Sequence, residues 1–246
     1  RRTPRPMTSV VPIAVVAPKT PADCFTMAFE AVQLATKYMC PVMLLTDGYL
    51  ANGAEPWKLP DVDALPQIPI KFHTEVEGFY PYRRNPETLA RPWAIPGTPG
   101  LEHRIGGLEK QDVTGNVCYD SGNHEHMCRL RQEKIDRIVA DVPPVEVFGE
   151  DTGDLLLVGW GSTYGAITHA TKSLRQHGGL KVSSIHLKYL NPFPANLGAV
   201  MARFKKVVVV EMNLGQLIWH LRAKYLVDAI ACTKIQGRPF KVQEIV

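Results

Sequence analysis

Three stretches of this 246-residue chain bring together side chains that could do chemistry. The first is Thr46-Asp47-Gly48-Tyr49-Leu50-Ala51-Asn52-Gly53, which follows an apolar run. If that run is a strand of an open parallel sheet, Asp47, Tyr49 and Asn52 lie beyond its carboxyl end, where ligands of such sheets bind. A purely local reading stands beside it: Gly48 and Gly53 supply turn conformations while Asp47 and Asn52 bond their own backbone. The second is Gly159-Trp-Gly161-Ser162-Thr163-Tyr-Gly165, in the strand-to-helix setting of a dinucleotide fingerprint. Its glycine spacing is one residue too long, and the next strand ends in Leu187-Lys188-Tyr189 without the acidic residue that would hold a ribose. The turn therefore reads as close helix–strand packing, with Gly161, Ser162 and Thr163 as a weak candidate for an anion or interface contact at a helix N-terminus. The third is His124-Glu125-His126. At the start of a helix, residues two apart point about 200° from each other, so this pair reads as solvated or interface histidines and no metal is expected. No Ser/His/Asp set or paired carboxylates stand out, and no catalytic residue is assigned.

Composition narrows the classes further. Hydrophobic residues make up 45% and charged residues 21%, which suits a folded core rather than disorder. A net charge of +4 with scattered basic residues, apart from Arg1, Arg2 and Arg5, gives nucleic-acid binding little support. The five cysteines, Cys24, Cys40, Cys118, Cys128 and Cys232, lack the short spacings of an iron–sulfur or zinc site and read as reduced thiols of a cytoplasmic protein. No apolar run approaches the roughly 20 residues that cross a bilayer. The chain begins without Met and reads as a portion of a longer protein.

The elements that must position these residues follow from periodicity. Val10–Val16 reads as a strand, and Thr20-Pro21-Ala-Asp23 as a capping box opening a helix to about Met39, with Phe25, Ala28, Phe29, Val32, Ala35 and Met39 as its buried stripe. Pro41–Thr46 reads as a strand buried on both faces. Prolines from 56 to 99 then make a long connection up to about Gly122. Ser121–Ala140 reads as a helix with Met127, Leu130, Ile135, Ile138 and Val139 inward. Beyond Pro143-Pro144 strands alternate with helices: Asp154–Trp160, Thr163–Gln176, Lys181–Leu187, Pro194–Phe204, Val207–Glu211, and a helix capped by Asn213 with Leu214, Leu217, Ile218, Leu221 and Tyr225 inward. That alternation predicts an α/β fold with a parallel sheet covered on both faces.

Several motifs in order along the chain resemble the alpha subunit of 2-oxoacid:ferredoxin oxidoreductases, the 2-oxoglutarate type above all. They include Thr20-Pro-Ala-Asp-Cys-Phe25, Pro41-Val-Met-Leu-Leu-Thr-Asp-Gly-Tyr-Leu-Ala-Asn52, Glu55-Pro-Trp57, Asn123-His-Glu-His126, Gly159–Gly165, Leu190-Asn-Pro-Phe-Pro194, Glu211-Met-Asn-Leu-Gly-Gln216 and Gly237-Arg-Pro-Phe240. The resemblance implies residues 1–55 as the tail of a thiamine-diphosphate pyrimidine-side domain, 56–149 as a proline-rich connection with one helix, and 150–246 as a transketolase C-terminal-like domain. It also implies oxidative decarboxylation of a 2-oxoacid to an acyl-coenzyme A with reduction of ferredoxin. The beta subunit would hold the diphosphate, magnesium and iron–sulfur cluster sites. The family's Tyr-Pro-Ile-Thr-Pro segment and its activating glutamate have no counterpart here, so the chain alone is expected to be inactive. The alternative is a non-catalytic scaffold of the same fold.

Overall fold

The computed structural model describes residues 12–177 and 179–246. The RRTPRPMTS stretch and the start of the expected Val10–Val16 strand lie outside them. Inside them that strand is β1 (Ala14–Val16), followed by helix α1 (Asp23–Tyr38) and strand β2 (Val42–Leu44). β1 and β2 are parallel with Ala14 opposite Val42, the expected strand–helix–strand unit. Thr20 Oγ1 accepts from the Asp23 N–H at 3.2 Å, while the Asp23 carboxylate accepts from Lys19 rather than Thr20, at 3.0 Å, so the box closes one residue early.

Two expectations fail in this unit. Phe25 and Val32 are 40% and 50% exposed, and α1 buries Met27, Leu34 and Tyr38 instead. The helix is apolar on both sides, so periodicity could not choose a face; the choice comes from Ile135 and Ile138, which share one core with Met27, Leu34 and Tyr38. β2 is an edge strand with Met43 46% exposed, not a strand buried on both faces.

A five-residue helix, α2 (Gly48–Asn52), follows β2. From there to Asp120 the described chain has only a 3-10 turn at Val62–Ala64 and isolated bridges such as Lys110–Val117, as its prolines require. Helix α3 (Ser121–Arg137) starts at Asp120, whose Oδ1 accepts from the Asn123 N–H at 2.7 Å, and tightens into a 3-10 turn over Ile138–Asp141. Lys134 on α3 is buried, and its Nζ donates to the Met39 carbonyl at 3.2 Å, tying α3 to the end of α1. Burial, reinforced by Arg84, Arg91 and Arg131, pushes its ammonium down to about 8.

The remainder contains β3 (Gly153–Trp160), α4 (Tyr164–His177), β4 (Val182–Leu187), β5 (Tyr189–Asn191), α5 (Leu197–Met201), β6 (Phe204–Glu211), α6 (Gln216–Tyr225) and β7 (Ala229–Thr233). Four of these strands form an all-parallel sheet in the order β4-β3-β6-β7. Leu156 and Val158 pack with Leu197, Met201, Ile218 and Leu221 on one face, while Leu157 packs with Ile167, Ala170 and Phe240 on the other. Both faces are thus covered, as expected. Asn213 Oδ1 accepts from the Gly215 and Gln216 N–H groups at 2.7 and 3.0 Å, but Leu214 is 80% exposed and drops out of the α6 stripe.

Strands β5 and β7 are absent from the sequence expectation. β7 adds an edge to the parallel sheet. β5 leaves that sheet and pairs antiparallel with β1, giving the order β2-β1-β5, and Asn191 Nδ2 donates to the Ile13 carbonyl at 2.7 Å. No described helix is long and apolar enough to cross a membrane.

Candidate functional site

The turn after β2 and the turn after β3, two separate candidates in the sequence, meet at one place. Asp47 caps α2: its Oδ1 accepts from the N–H groups of Tyr49 and Leu50, each at 3.0 Å. Its other oxygen, Oδ2, accepts from the Ser162 N–H at 2.9 Å. The carboxylate therefore bridges two polypeptide stretches 115 positions apart. Gly161 makes the approach possible. Its φ is +60°, and a Cβ there would sit 3.1 Å from Asp47 Oδ2.

The anion expected to rest on the turn before α4 is thus supplied from within. Thr163 is spent as well, since its Oγ1 donates to the Trp160 carbonyl at 2.8 Å and accepts from the Trp160 N–H at 3.2 Å. Ser162 Oγ lies 3.5 Å from Met212 Sδ. The start of α6 is filled in the same manner. The fully buried Glu211 accepts from Leu217 N–H at 2.8 Å, Ile218 N–H at 3.1 Å, Trp160 Nε1 at 3.2 Å and Asn213 Nδ2 at 3.1 Å. A carboxylate thus already faces each turn, Asp47 taking the Ser162 N–H and Glu211 those of Leu217 and Ile218. Close packing accounts for the first glycine of the motif: a Cβ on Gly159 would lie 2.1 Å from Ile167 Cδ1 and 2.5 Å from Thr163 Oγ1.

Around the Asp47–Ser162 contact lies an open cavity of about 940 Å³. Tyr49, Asn52, Lys19, Tyr164 and His169 are among its lining residues. The Tyr49 side chain stands out from α2, the residue being 56% exposed, and Asn52 Nδ2 donates to the Gly48 carbonyl at 2.8 Å, which leaves its side-chain oxygen as an acceptor. Lys19 Nζ sits 4.9 Å from the Tyr164 ring centroid. Lys19 follows the end of β1, so the strand-end rule that singles out Asp47 would also have found it; Tyr164 sits within the Gly159–Gly165 turn after β3, whereas His169 carries no such local signal.

The neighbouring groups do not form a nucleophile–base pair. Burial first, then the Asp23, Asp47 and Glu55 carboxylates, pushes the Cys24 thiol up, away from the reactive thiolate. His186, at the end of β4, has both ring nitrogens buried with no described partner, and burial pushes its imidazole down to about 3, so it is neutral. The cavity wall offers the Tyr49 and Tyr164 rings, the Asn52 carboxamide, Lys19, His169 and Glu55. The histidines of the His124-Glu125-His126 stretch lie elsewhere and diverge: His124 bonds Glu109, while His126 bonds Asp112.

Residues 7–118 match the family described as pyruvate flavodoxin/ferredoxin oxidoreductase, thiamine diP-bdg, and residues 153–245 match pyruvate:ferredoxin oxidoreductase core domain II. The chain is 56% identical, over 95% of its length, to the 2-oxoglutarate oxidoreductase subunit KorA of Mycobacterium tuberculosis, and covers 36% of that protein. It is 28% identical, over 92% of its length, to the 2-oxoglutarate synthase subunit KorA of Archaeoglobus fulgidus, covering 56% of it. A solved 2-oxoglutarate:ferredoxin oxidoreductase from Magnetococcus marinus, with 2-oxoglutarate, coenzyme A and succinyl-CoA bound, superposes with a TM-score of 0.88 at 34% identity, over 96% of this chain and 41% of that one. The chain thus spans between about a third and about a half of the length of these relatives.

Proposed function

This chain belongs to the 2-oxoacid:ferredoxin oxidoreductase family, and from that premise we propose that it is part of the alpha subunit of an enzyme that decarboxylates 2-oxoglutarate, reduces ferredoxin and forms an acyl-coenzyme A. The observation that carries this reading is the 56% identity over 95% of the chain to a 2-oxoglutarate oxidoreductase subunit. The match of a thiamine-diphosphate-binding family model and of core domain II, in that order along the chain, supports it. The division proposed remains residues 1–55, 56–149 and 150–246, with α3 and β5 grouped with the first part, because α3 packs into its core and β5 pairs with β1.

When bound, thiamine diphosphate supplies the electron sink that decarboxylation of a 2-oxoacid needs. The residues present fit one side of that cofactor. Tyr49 offers a ring face and Asn52 a carboxamide acceptor toward the cavity, whereas Asp47 is engaged by three backbone N–H groups and serves as the strut that holds the turn. The diphosphate, magnesium and iron–sulfur cluster are assigned to the beta subunit, and ferredoxin and coenzyme A to the assembled complex. The five cysteines are free thiols, in keeping with a cytoplasmic enzyme.

The exposed apolar side of α1, with Phe25 and Val32, and Met43 on β2 are the surface on which the rest of the enzyme would pack. The test is coexpression of the full-length protein with its beta-type partner and assay of 2-oxoglutarate- and coenzyme-A-dependent ferredoxin reduction. Turnover with 2-oxoglutarate is expected; turnover with pyruvate alone overturns the substrate assignment, and a stable complex without turnover on any 2-oxoacid favours a scaffold.

A further inference from the structure

Away from the cavity, the hairpin before α3 and the first two turns of α3 hold a second cluster. Cys118 N–H donates to the Glu109 carbonyl at 3.1 Å, closing the hairpin. Asn123 then pins it to the helix, its Nδ2 donating to the Lys110 carbonyl at 3.0 Å and its Oδ1 accepting from the Asp112 N–H at 3.2 Å. This places Glu109 beside His124, with Glu109 Oε2 2.6 Å from His124 Nδ1. One turn further on, Cys128 Sγ lies 3.7 Å from His124 Nε2. One ligand atom from each of Glu109, His124 and Cys128 falls within 4.8 Å of the others.

We propose that His124 Nε2 and Cys128 Sγ form a surface site for a zinc-class divalent cation, with Glu109 fixing the imidazole through Nδ1. Four features support it. Histidine and cysteine at i and i+4 lie on one helix face, the spacing that His124 and His126 lack. Tetrahedral zinc, with arms of about 2.0 Å to nitrogen and 2.3 Å to sulfur, needs a nitrogen–sulfur separation of about 3.6 Å, close to that found. A carboxylate accepting from Nδ1 selects the tautomer whose Nε2 presents a lone pair, the usual outer partner of a metal-bound histidine. Imidazole with thiolate is the donor pair that suits zinc over magnesium or calcium. The expectation of no metal rested on the divergence of His124 and His126 and on the long spacings between the cysteines; the new set pairs one of those histidines with a single cysteine from the following turn.

Arg131 sets the terms of binding. Its Nη1 donates to Glu109 Oε1 at 3.1 Å and its Nη2 reaches Cys128 Sγ at 3.1 Å. On binding, the sulfur–zinc bond forms, the thiol proton passes to solvent, and Arg131 gives up the sulfur while keeping Glu109 in place; there is no change of oxidation state. Because a proton is released, affinity rises with pH. Water takes the remaining positions, since the His124 side chain is 65% exposed.

The test is alkylation of the full-length protein with iodoacetamide, followed cysteine by cysteine by peptide mass spectrometry, with and without micromolar zinc. Zinc is expected to slow Cys128 alkylation about tenfold, reversibly with chelator, and to leave Cys24, Cys40, Cys118 and Cys232 unchanged. His124→Ala removes the protection, Glu109→Gln raises the zinc concentration required by about tenfold or more, and His126→Ala, on the other side of the helix, changes nothing. Unprotected Cys128, or equal protection in His124→Ala, overturns the site. None of these readouts depends on enzyme turnover.

Discussion

The two sheets of this molecule are closed to different degrees. The four-stranded sheet is covered on both faces by its own helices and C-terminal segment, and Glu211 and Asp47 accept backbone N–H groups at the starts of two of its helices. The three-stranded sheet has two strands of its own, borrows β5 from beyond the proline-rich connection, and leaves Met43, Phe25 and Val32 uncovered. Both regions use the same local rules of strand, helix and cap. What separates them is whether the apolar residues find partners inside this chain, so substitutions in the first region should read out in stability and those on the open face of the second in assembly.

Breaking the closed region should cost most. Glu211→Ala strands four donors in a buried site and is expected to destabilise by about 4 kcal/mol in chemical denaturation; a loss below about 1 kcal/mol would mean that the region tolerates an unfilled helix start. In the other region the buried Lys134 works the opposite way. Folding lowers its ammonium from 10.5 to about 8, so between those values the unfolded chain holds a proton that the folded one releases. The cost is fully present below pH 8 and fades as pH climbs toward 10.5. Lys134→Met should therefore stabilise by about 3 kcal/mol at pH 7 less about 1 for the bond to Met39, with the gain shrinking above pH 8 in parallel melts. A gain independent of pH would refute the charge argument.

Smaller effects sharpen the contrast. Gly159→Ala must push both Ile167 and Thr163 aside and should cost about 2 kcal/mol. Asp47→Ala removes a cap and the bridge to Ser162, for a loss of about 1 to 2 kcal/mol. Hydrogen exchange should quicken at the Tyr49, Leu50 and Ser162 amides; unchanged exchange at Ser162 would show that the bridge does not hold the regions together. Val32→Asp, on the open face of α1, should change stability by less than about 0.5 kcal/mol while weakening recovery of the assembled enzyme in coexpression. A large stability loss there would mean that this face is already covered.

Sequence patterns captured the elements with strong periodicity. β3, α4, β4 and β6 fall within a few residues of expectation because unbroken apolar strands and amphipathic helices leave one reading. β5 is three residues long and runs directly into Pro192, and β7 is an alanine-rich edge, so neither carries a strand pattern. The face of α1 was misassigned because Phe25, Val32, Met27 and Leu34 are equally apolar, and only the packing of α3 distinguishes them. At the site, the Asp47–Asn52 turn and the Gly161–Thr163 turn were both legible as turns. Their union was not, because a carboxylate oxygen meeting an amide 115 positions away leaves no mark on either local pattern.

The borrowed strand sets a timetable for the growing chain. Asn191 closes onto Ile13 across 178 positions. At synthesis rates of roughly 5 to 20 residues per second, β1 would wait roughly 10 to 35 s before its antiparallel neighbour exists. Throughout that interval the edge of β1 that β5 will cover lacks this partner, which leaves that edge open to wrong strand pairings until Tyr189–Asn191 is made.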